Sequence, residues 1–317
     1  MKLAAVSVDL DEIPCYAAIH GLDVPPGSEH ALYERAVPRL ASLFAAHAVP
    51  ATFFAIGDDV LRVPVAQTLR GLAERGHEIA SHSQRHLYDL TRRDRVTIHA
   101  EVAESLEAIE RAVGVRPRGF RAPGYTITNT VFSVLRELEL AYDSSVFPCP
   151  AYYAPKATII GALRARAALG LGRASRSIVD DPRVLGAPPE PYFPADREGA
   201  YWRSGRSDGL VELPIGVTPR LRLPFIGTSV AVAGERGAAM LARQMVGRSV
   251  VTLELHAMDL ADAREDGLGW LAPHEPALSR TAAQKARAIG AAIEALRAHG
   301  YRFVTAEEAA AAVASLA

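Results

Sequence analysis

Two aspartates and two histidines carry the chemistry most directly readable from this chain. Asp9 and Asp11 alternate at the end of a short apolar run, and His82 and His86 stand four residues apart just after another. A divalent cation that activates water takes three protein ligands and keeps one position open, and imidazole nitrogens with a carboxylate oxygen suit such an ion. Asp11, His82 and His86 supply that donor set. Each residue also has an ordinary reading, since Asp-x-Asp is common in turns and a lone His-x-x-x-His pair is a metal site only occasionally. Joint placement favours chemistry: Asp9 and Asp11 end the first strand and His82 follows the third. All then stand at the C-terminal edge of a sheet, where barrel and doubly wound enzymes hold their sites. Two bare carboxylates on one face there would be costly without a cation between them.

That placement needs several strands ending at one edge. Residues 3–9, 51–56, 78–81, 119–121, 140–144, 209–213, 250–256 and 301–304 read as short buried strands. Helical patterns lie between them: Val37, Leu40, Phe44 and Ala48 behind a first-turn Pro38, then 63–75, then the stripe Ile98, Val102, Leu106, Ile109 and Val113, then 128–138 and 237–246. A capping box at Thr281 and Gln284 opens a long helix to 299, and Thr305 with Glu308 opens a last, alanine-rich one expected to pack on the sheet. The alternation predicts an α/β fold, a distorted (β/α)7-type barrel of mostly parallel strands with helices outside and one long insertion. Residues 1–317 are expected to form a single domain, with the insertion or lid at about 146–208.

Composition narrows the function. With 35 basic against 36 acidic side chains and 49% apolar residues, the chain can bury a large core, and no global charge steers it to nucleic acid. The N-terminal run is too short for a secretory signal, no uncharged run approaches the ~20 residues that span a bilayer, and Cys15 and Cys149 have no Cys-x-x-Cys spacing. A cytoplasmic location is the expectation. Cys15 lies near Asp11 in sequence but shows no neighbouring base. Within the insertion, residues 155–178 carry Lys156, Arg164, Arg166, Arg173 and Arg176 and no acidic side chain, interleaved with Ile159, Ile160, Leu163, Leu169 and Leu171. Such a basic, apolar stretch suits either a solvated covering helix or peripheral contact with an anionic membrane.

Two further segments make the constellation specific: Phe120-Arg121-Ala122-Pro123-Gly124-Tyr125 and the strand end Leu253-Glu254-Leu255-His256. With Asp9 and Asp11, then His82-Ser83-Gln84-Arg85-His86, then Arg121-Ala122-Pro123, then His256, the chain resembles the polysaccharide deacetylase family, the NodB-homology carbohydrate esterases. The likeness covers residues 1–145 well and 209–310 more loosely. It implies that Asp11, His82 and His86 hold the metal, that Asp9 is the general base for the attacking water, and that Arg121 orients Asp9. It implies that His256 protonates the departing amine. The Gly124 amide is the candidate oxyanion donor, and Tyr125, Glu254 and Trp202 are candidate substrate contacts.

Three departures from the family pattern bear on the substrate. The aspartates are spaced in Asp-Leu-Asp-Glu rather than adjacent, a form that looks like branches acting on peptidoglycan, lipid-linked aminosugars or imide-like small molecules. Gly124 stands where an aromatic is frequent, with Tyr125 one place later. Glu254, two residues before His256, shares its face and would stabilise the imidazolium or meet a polar substrate group. The implied activity is metal-dependent removal of an acetyl or formyl N-acyl group from an aminosugar-containing substrate, lipid-linked ones included. Zinc is the expected ion, and cobalt, nickel or iron fit the same ligands. Allantoinase-like hydrolysis of a cyclic imide and non-catalytic carbohydrate binding are the alternatives.

Overall fold

The computed structural model describes residues 2–316 except 172, 180, 196–199 and 206–208. Its strands are β1 (Leu3–Asp9), β2 (Ala51–Ala55), β3 (Glu78–Ser81), β4 (Gly119–Phe120), β5 (Tyr142–Asp143), β6 (Val211–Glu212), β7 (Val250–His256) and β8 (Arg302–Val304). They pair in parallel in the order β6-β5-β4-β3-β2-β1-β7, and β8 joins the β1 edge beside Leu3 to Ala5, below the stretch that pairs with β2. The sheet curls into a half-barrel with helices around it. At the seam between β6 and β7, a bridge from Ile226 to Glu254 and a hydrogen bond from Thr252 Oγ1 to the Pro214 carbonyl stand in place of a ladder. The expected barrel of parallel strands is therefore present and open along one side.

The helices are α1 (Ile13–His20), α2 (Val37–Ala46), α3 (Val63–Glu74), α4 (Arg95–Val113), α5 (Asn129–Glu137), α6 (Pro150–Ala168), α7 (Gly227–Gln244), α8 (Ala282–Ala298) and α9 (Ala306–Ala314). β1 is buried along its whole length, as expected of a parallel strand covered on both faces. Its Ala4, Val6 and Val8 join the main core with Phe53 and Leu253 beneath α2, α3, α7 and α8, while Leu3 and Ala5 point into the half-barrel. Ala306, Ala309 and Ala310 of α9 close the end opposite the site. Both capping boxes form, Thr281 with Gln284 and Thr305 with Glu308.

β4, β5 and β6 are shorter than the expected 119–121, 140–144 and 209–213, and two helices differ more deeply from the sequence reading. α1 was not anticipated, because its apolar residues show no helical stripe, yet Glu12 caps Ile13, Pro14 sits in the first turn and Gly21 ends the helix at φ +69°. α7 starts at Gly227 rather than 237 and kinks at Gly234, φ +69°; its first turns are small residues without polar–apolar alternation. The 146–208 segment contains α6 and a short 3-10 helix, Pro182–Gly186, and Tyr192 pairs antiparallel with Glu212. Its residues 172, 180, 196–199 and 206–208 lie outside the described part.

Candidate metal centre and active site

Strand alternation builds the site. On β1 the odd positions face the half-barrel interior, so Ser7 and Asp9 follow Leu3 and Ala5 up one column. Thr52 and Phe54 on β2, and Glu254 and His256 on β7, follow the same rule. The register then sets Asp9 level with Phe54 on one side and His256 on the other. His82 and Arg121 lie one step beyond β3 and β4, where their amides donate to the Ala55 and Ser81 carbonyls.

Asp11, His82 and His86 converge. Asp11 Oδ1 lies 3.2 Å from His82 Nε2 and 3.0 Å from His86 Nε2, and all three residues are buried. Asp11 Oδ1 and both ring nitrogens of His86 have no hydrogen-bond partner. Close approach without hydrogen-bond alignment is what lone pairs aimed at a shared cation produce, and the donor set is the one divalent transition metals take. The residues therefore fit a metal ion. His82 Nδ1 is 2.7 Å from the Arg121 carbonyl, which fixes the ring with Nε2 toward Asp11. The loop between the histidines takes left-handed backbone at Ser83 (φ +66°) and His86 (φ +53°). It is held by amides donating from Gln84 to the Glu101 carbonyl, from Arg85 to the Glu101 carboxylate and from His86 to Ser83 Oγ. Gly57 leaves room beneath it: a Cβ there would come 2.0 Å from Gln84 Oε1, displacing that side chain, and 3.1 Å from the Gln84 Cα.

Electrostatics tie this cluster together. Burial opposes charge on His86, but Asp11 outweighs it and pushes the imidazole up to about 9. Burial likewise works against ionised Asp11, and His86 and His82 hold it well below the usual carboxylate range. A bound cation would reverse the histidine's shift, since it needs the neutral ring. Glu12, next to the cluster, is raised to about 7 by burial and accepts from the amides of Ile13, Leu32 and Tyr33.

Beside these donors stand two oriented pairs. Arg121 Nη1 donates to Asp9 Oδ1 at 2.6 Å, while its other nitrogens donate to Ser7 Oγ, Ser144 Oγ and the Ser144 carbonyl, and Phe54 lies 4.1 Å beneath the guanidinium. His256 Nδ1 lies 2.9 Å from Glu254 Oε1, and its Nε2 lies 3.4 Å from the Tyr125 hydroxyl and 3.7 Å from Asp11 Oδ2. Burial disfavours the His256 imidazolium, but Glu254 outweighs it and holds the group well above the usual histidine range. Asp9, Glu254 and His256 also lie within ligand distance of one another. In this second group Asp9 is already paired with the Arg121 guanidinium.

A cavity of about 390 Å³ opens above Asp9, Asp11 and His256. Tyr16, Tyr88, Gly124, Tyr125, Tyr152 and Ile160 wall it, with Lys156 donating to the Gly124 carbonyl at 3.0 Å. Gly124 (φ +63°) suits its place, where a Cβ would press on Tyr88 at 3.3 Å. Trp202 does not belong to this wall. It packs on Tyr201 and under the Arg183 guanidinium, so the expected sugar-stacking contact is replaced by a structural one. His77 accepts from the Ala51 amide, as a packing residue does. Sequence reasoning missed Tyr16 and His20, which α1 brings to the cavity and whose signal was the cap–proline–glycine frame of that helix. It also left Cys15 without a neighbouring base, whereas the fold puts Cys15 against His86.

The description of one family, polysaccharide deacetylase, matches residues 25–142. Over that segment the chain resembles the polysaccharide deacetylase family. His82, His86, Arg121, Gly124 and Tyr125 lie inside the matched deacetylase segment, whereas Asp9, Asp11 and His256 lie outside it and are joined to it by the sheet. A peptidoglycan deacetylase of Helicobacter pylori is 27% identical over 150 residues, 45% of this chain and 49% of that protein. A chitooligosaccharide deacetylase of a Bradyrhizobium strain is 35% identical over 105 residues, 33% of this chain and 47% of that one. The chain thus spans about half the length of the curated relatives it matches. A solved structure from Mycobacterium smegmatis shares the fold at 20% identity, with a TM-score of 0.59 over 99% of this chain and 91% of its own.

Proposed function

We propose that the protein is a metal-dependent hydrolase that removes an acetyl or formyl N-acyl group from an aminosugar-containing substrate. The observation that carries this reading is a convergent, unbonded Asp11–His82–His86 donor set flanked by Asp9 on Arg121 and by His256 on Glu254. Asp11, His82 and His86 would hold the ion, zinc in the first place, with cobalt, nickel and iron compatible. When bound, the ion supplies Lewis-acid polarisation of the acyl carbonyl and a lowered pKa for the attacking water.

The chain's own groups do the rest. Asp9, pinned by Arg121, takes the proton from the attacking water. The Gly124 amide, on the cavity wall, is the candidate donor to the developing oxyanion. His256 Nε2 delivers a proton to the departing nitrogen, which is a poor leaving group until protonated, and Glu254 at Nδ1 keeps that proton available and the ring aligned. The Tyr125 hydroxyl, 3.4 Å from His256 Nε2, would steady that ring as the proton leaves it. Both curated relatives are named as deacetylases, which supports C–N cleavage at an acylated sugar; ring opening of a cyclic imide draws no such support.

Elemental analysis of purified protein, combined with amine release across a panel of N-acetylated and N-formylated sugars, tests the proposal. Wild type should carry about one divalent ion per chain and release amine with equimolar acid. Asp9→Asn should keep the ion and be nearly inert. Absence of a bound ion after metal reconstitution, or Asp9→Asn turning over at the wild-type rate, refutes it.

A further inference from the structure

The reaction cavity has a neighbour on the outer surface. A shallow groove of about 430 Å³ is lined by Leu22, Ile159, Leu163, Leu171 and Pro273 with Arg166, and it shares His20 and Ile159 with the cavity. A helix that served only to roof the cavity would turn its apolar residues inward. α6 buries Tyr153 and Ile160, yet Ile159 is 50% exposed, and just past its end Leu169 is 74% and Leu171 61% exposed. Leu221 is 74% exposed beside Arg220, in the loop that leads to the cavity-lining Pro224 and Ile226. Cys149 donates from its thiol to the Arg222 carbonyl, tying that loop to the start of α6.

Charge follows the same rim. Residues 155–178 hold no carboxylate. Arg164, Arg166 and Arg220 have no carboxylate partner among the described residues, although Arg173 pairs with Asp23. Single exposed apolar side chains are ordinary, but several around one groove mark a contact surface. A polyanion such as nucleic acid would use the guanidiniums and leave the leucines in water. An anionic bilayer uses both, the guanidiniums at the phosphates and the aliphatic side chains at the headgroup boundary.

We propose that α6, the segment through Leu171 and the Arg220–Leu221 loop form a docking surface for an anionic phospholipid membrane, with the reaction cavity opening toward it. None of the described helices is long and apolar enough to cross a membrane, so the contact is peripheral. The inference stands apart from the hydrolase reading, because it needs no turnover.

Co-sedimentation of the full chain with phosphatidylcholine vesicles, with and without phosphatidylglycerol, tests it. Wild type should sediment with the anionic vesicles only, and added salt should release it. The triple variant Arg164→Gln, Arg166→Gln, Arg220→Gln should lose about fivefold in partitioning per arginine, on the order of 10²-fold together. Leu169→Ser with Leu171→Ser and Leu221→Ser should weaken binding that the arginines still steer. Arg111→Gln with Arg116→Gln, at the far end of the sheet, should bind as wild type. All these positions are exposed, so thermal melts should stay close to wild type. Failure to sediment, equal sedimentation with phosphatidylcholine alone, or an unchanged arginine triple variant overturns the proposal.

Discussion

Replacing Glu254 by Gln isolates the contribution of one charge to the proposed acid. Glutamine keeps the size and shape of the side chain beside His256 Nδ1 while the charge at 2.9 Å is removed. At an effective dielectric of about 20, a full charge at that distance is worth roughly 6 kcal/mol before desolvation. Burial works the other way on His256, and an adjacent opposite charge usually moves a group by about 1 to 3 pH units net. The sign follows from the raised wild-type pKa. The proton needed for leaving-group departure survives to a pH above the ordinary histidine value and is lost as pH rises through the folded value. Without Glu254 that loss must begin earlier. The alkaline limb of the kcat profile, measured on an N-acylated aminosugar, should therefore move down by roughly 1 to 3 pH units, with the acid limb unmoved and the melting temperature little changed. An alkaline limb that stays in place in a folded variant would show that His256 is not the acid or that Glu254 does not set its charge.

Chelation followed by dialysis should abolish turnover, and Asp11→Ala should fail to recover it on zinc addition, with metal content as the readout. Asp9→Asn should retain metal and lose on the order of 10² to 10⁴ in kcat. Asp143 and Glu212 are buried together behind Arg121, and burial with the neighbouring carboxyl raises Glu212 well above its usual value. A raised acid costs stability as pH climbs from its unfolded value toward its folded one, so wild-type stability should fall by up to about 1.4 kcal/mol per pH unit in that window. Glu212→Gln should flatten the dependence in urea melts. Gly216→Ala should destabilise by about 1 to 3 kcal/mol, because the new Cβ would lie 2.2 Å from the Thr252 carbonyl oxygen. Urea melts at fixed pH read that directly.

How much of this was legible in the sequence depended on whether the signal was local. The strands at Leu3–Asp9, Glu78–Ser81 and Val250–His256 announce themselves by short apolar runs, and the structure keeps those bounds. Asp9, Asp11, His82, His86, Arg121 and His256 could be placed at one edge because each follows or ends such a run. α1 was invisible to periodicity, since Pro14, Cys15 and Tyr16 carry no stripe, and with it went Tyr16, His20 and the Cys15–His86 neighbourhood. Trp202 is the opposite case. An indole in the insertion reads as either sugar platform or core, and the three-dimensional packing puts it under Arg183 and at a steep angle to Tyr201. Alternation alone leaves Glu254 between two readings, and one distance to His256 Nδ1 favours the imidazolium over a substrate group.

The site's dependence on register gives that legibility its physical basis. β1 is paired along its full length with β7, but its other edge is divided, Leu3 to Ala5 against β8 and Val6 to Asp9 against β2. The β2 and β7 pairings bring Phe54 and His256 level with Asp9. β3 and β4 continue the stair, so that His82 and Arg121 emerge one residue past their strands onto the same inner rim. A one-residue slip of any of these strands would turn its functional side chain into the helix layer. The spacing of Asp9 and Asp11 belongs to the same constraint. Asp9 is the last inward position still paired in the sheet, where Arg121 can reach it from across the half-barrel. Asp11 is free of the strand and can turn toward two histidines on a loop held by Glu101. Between them Leu10 is buried in the main core, on the side away from the cavity, and so ties the chain down just where it leaves the strand.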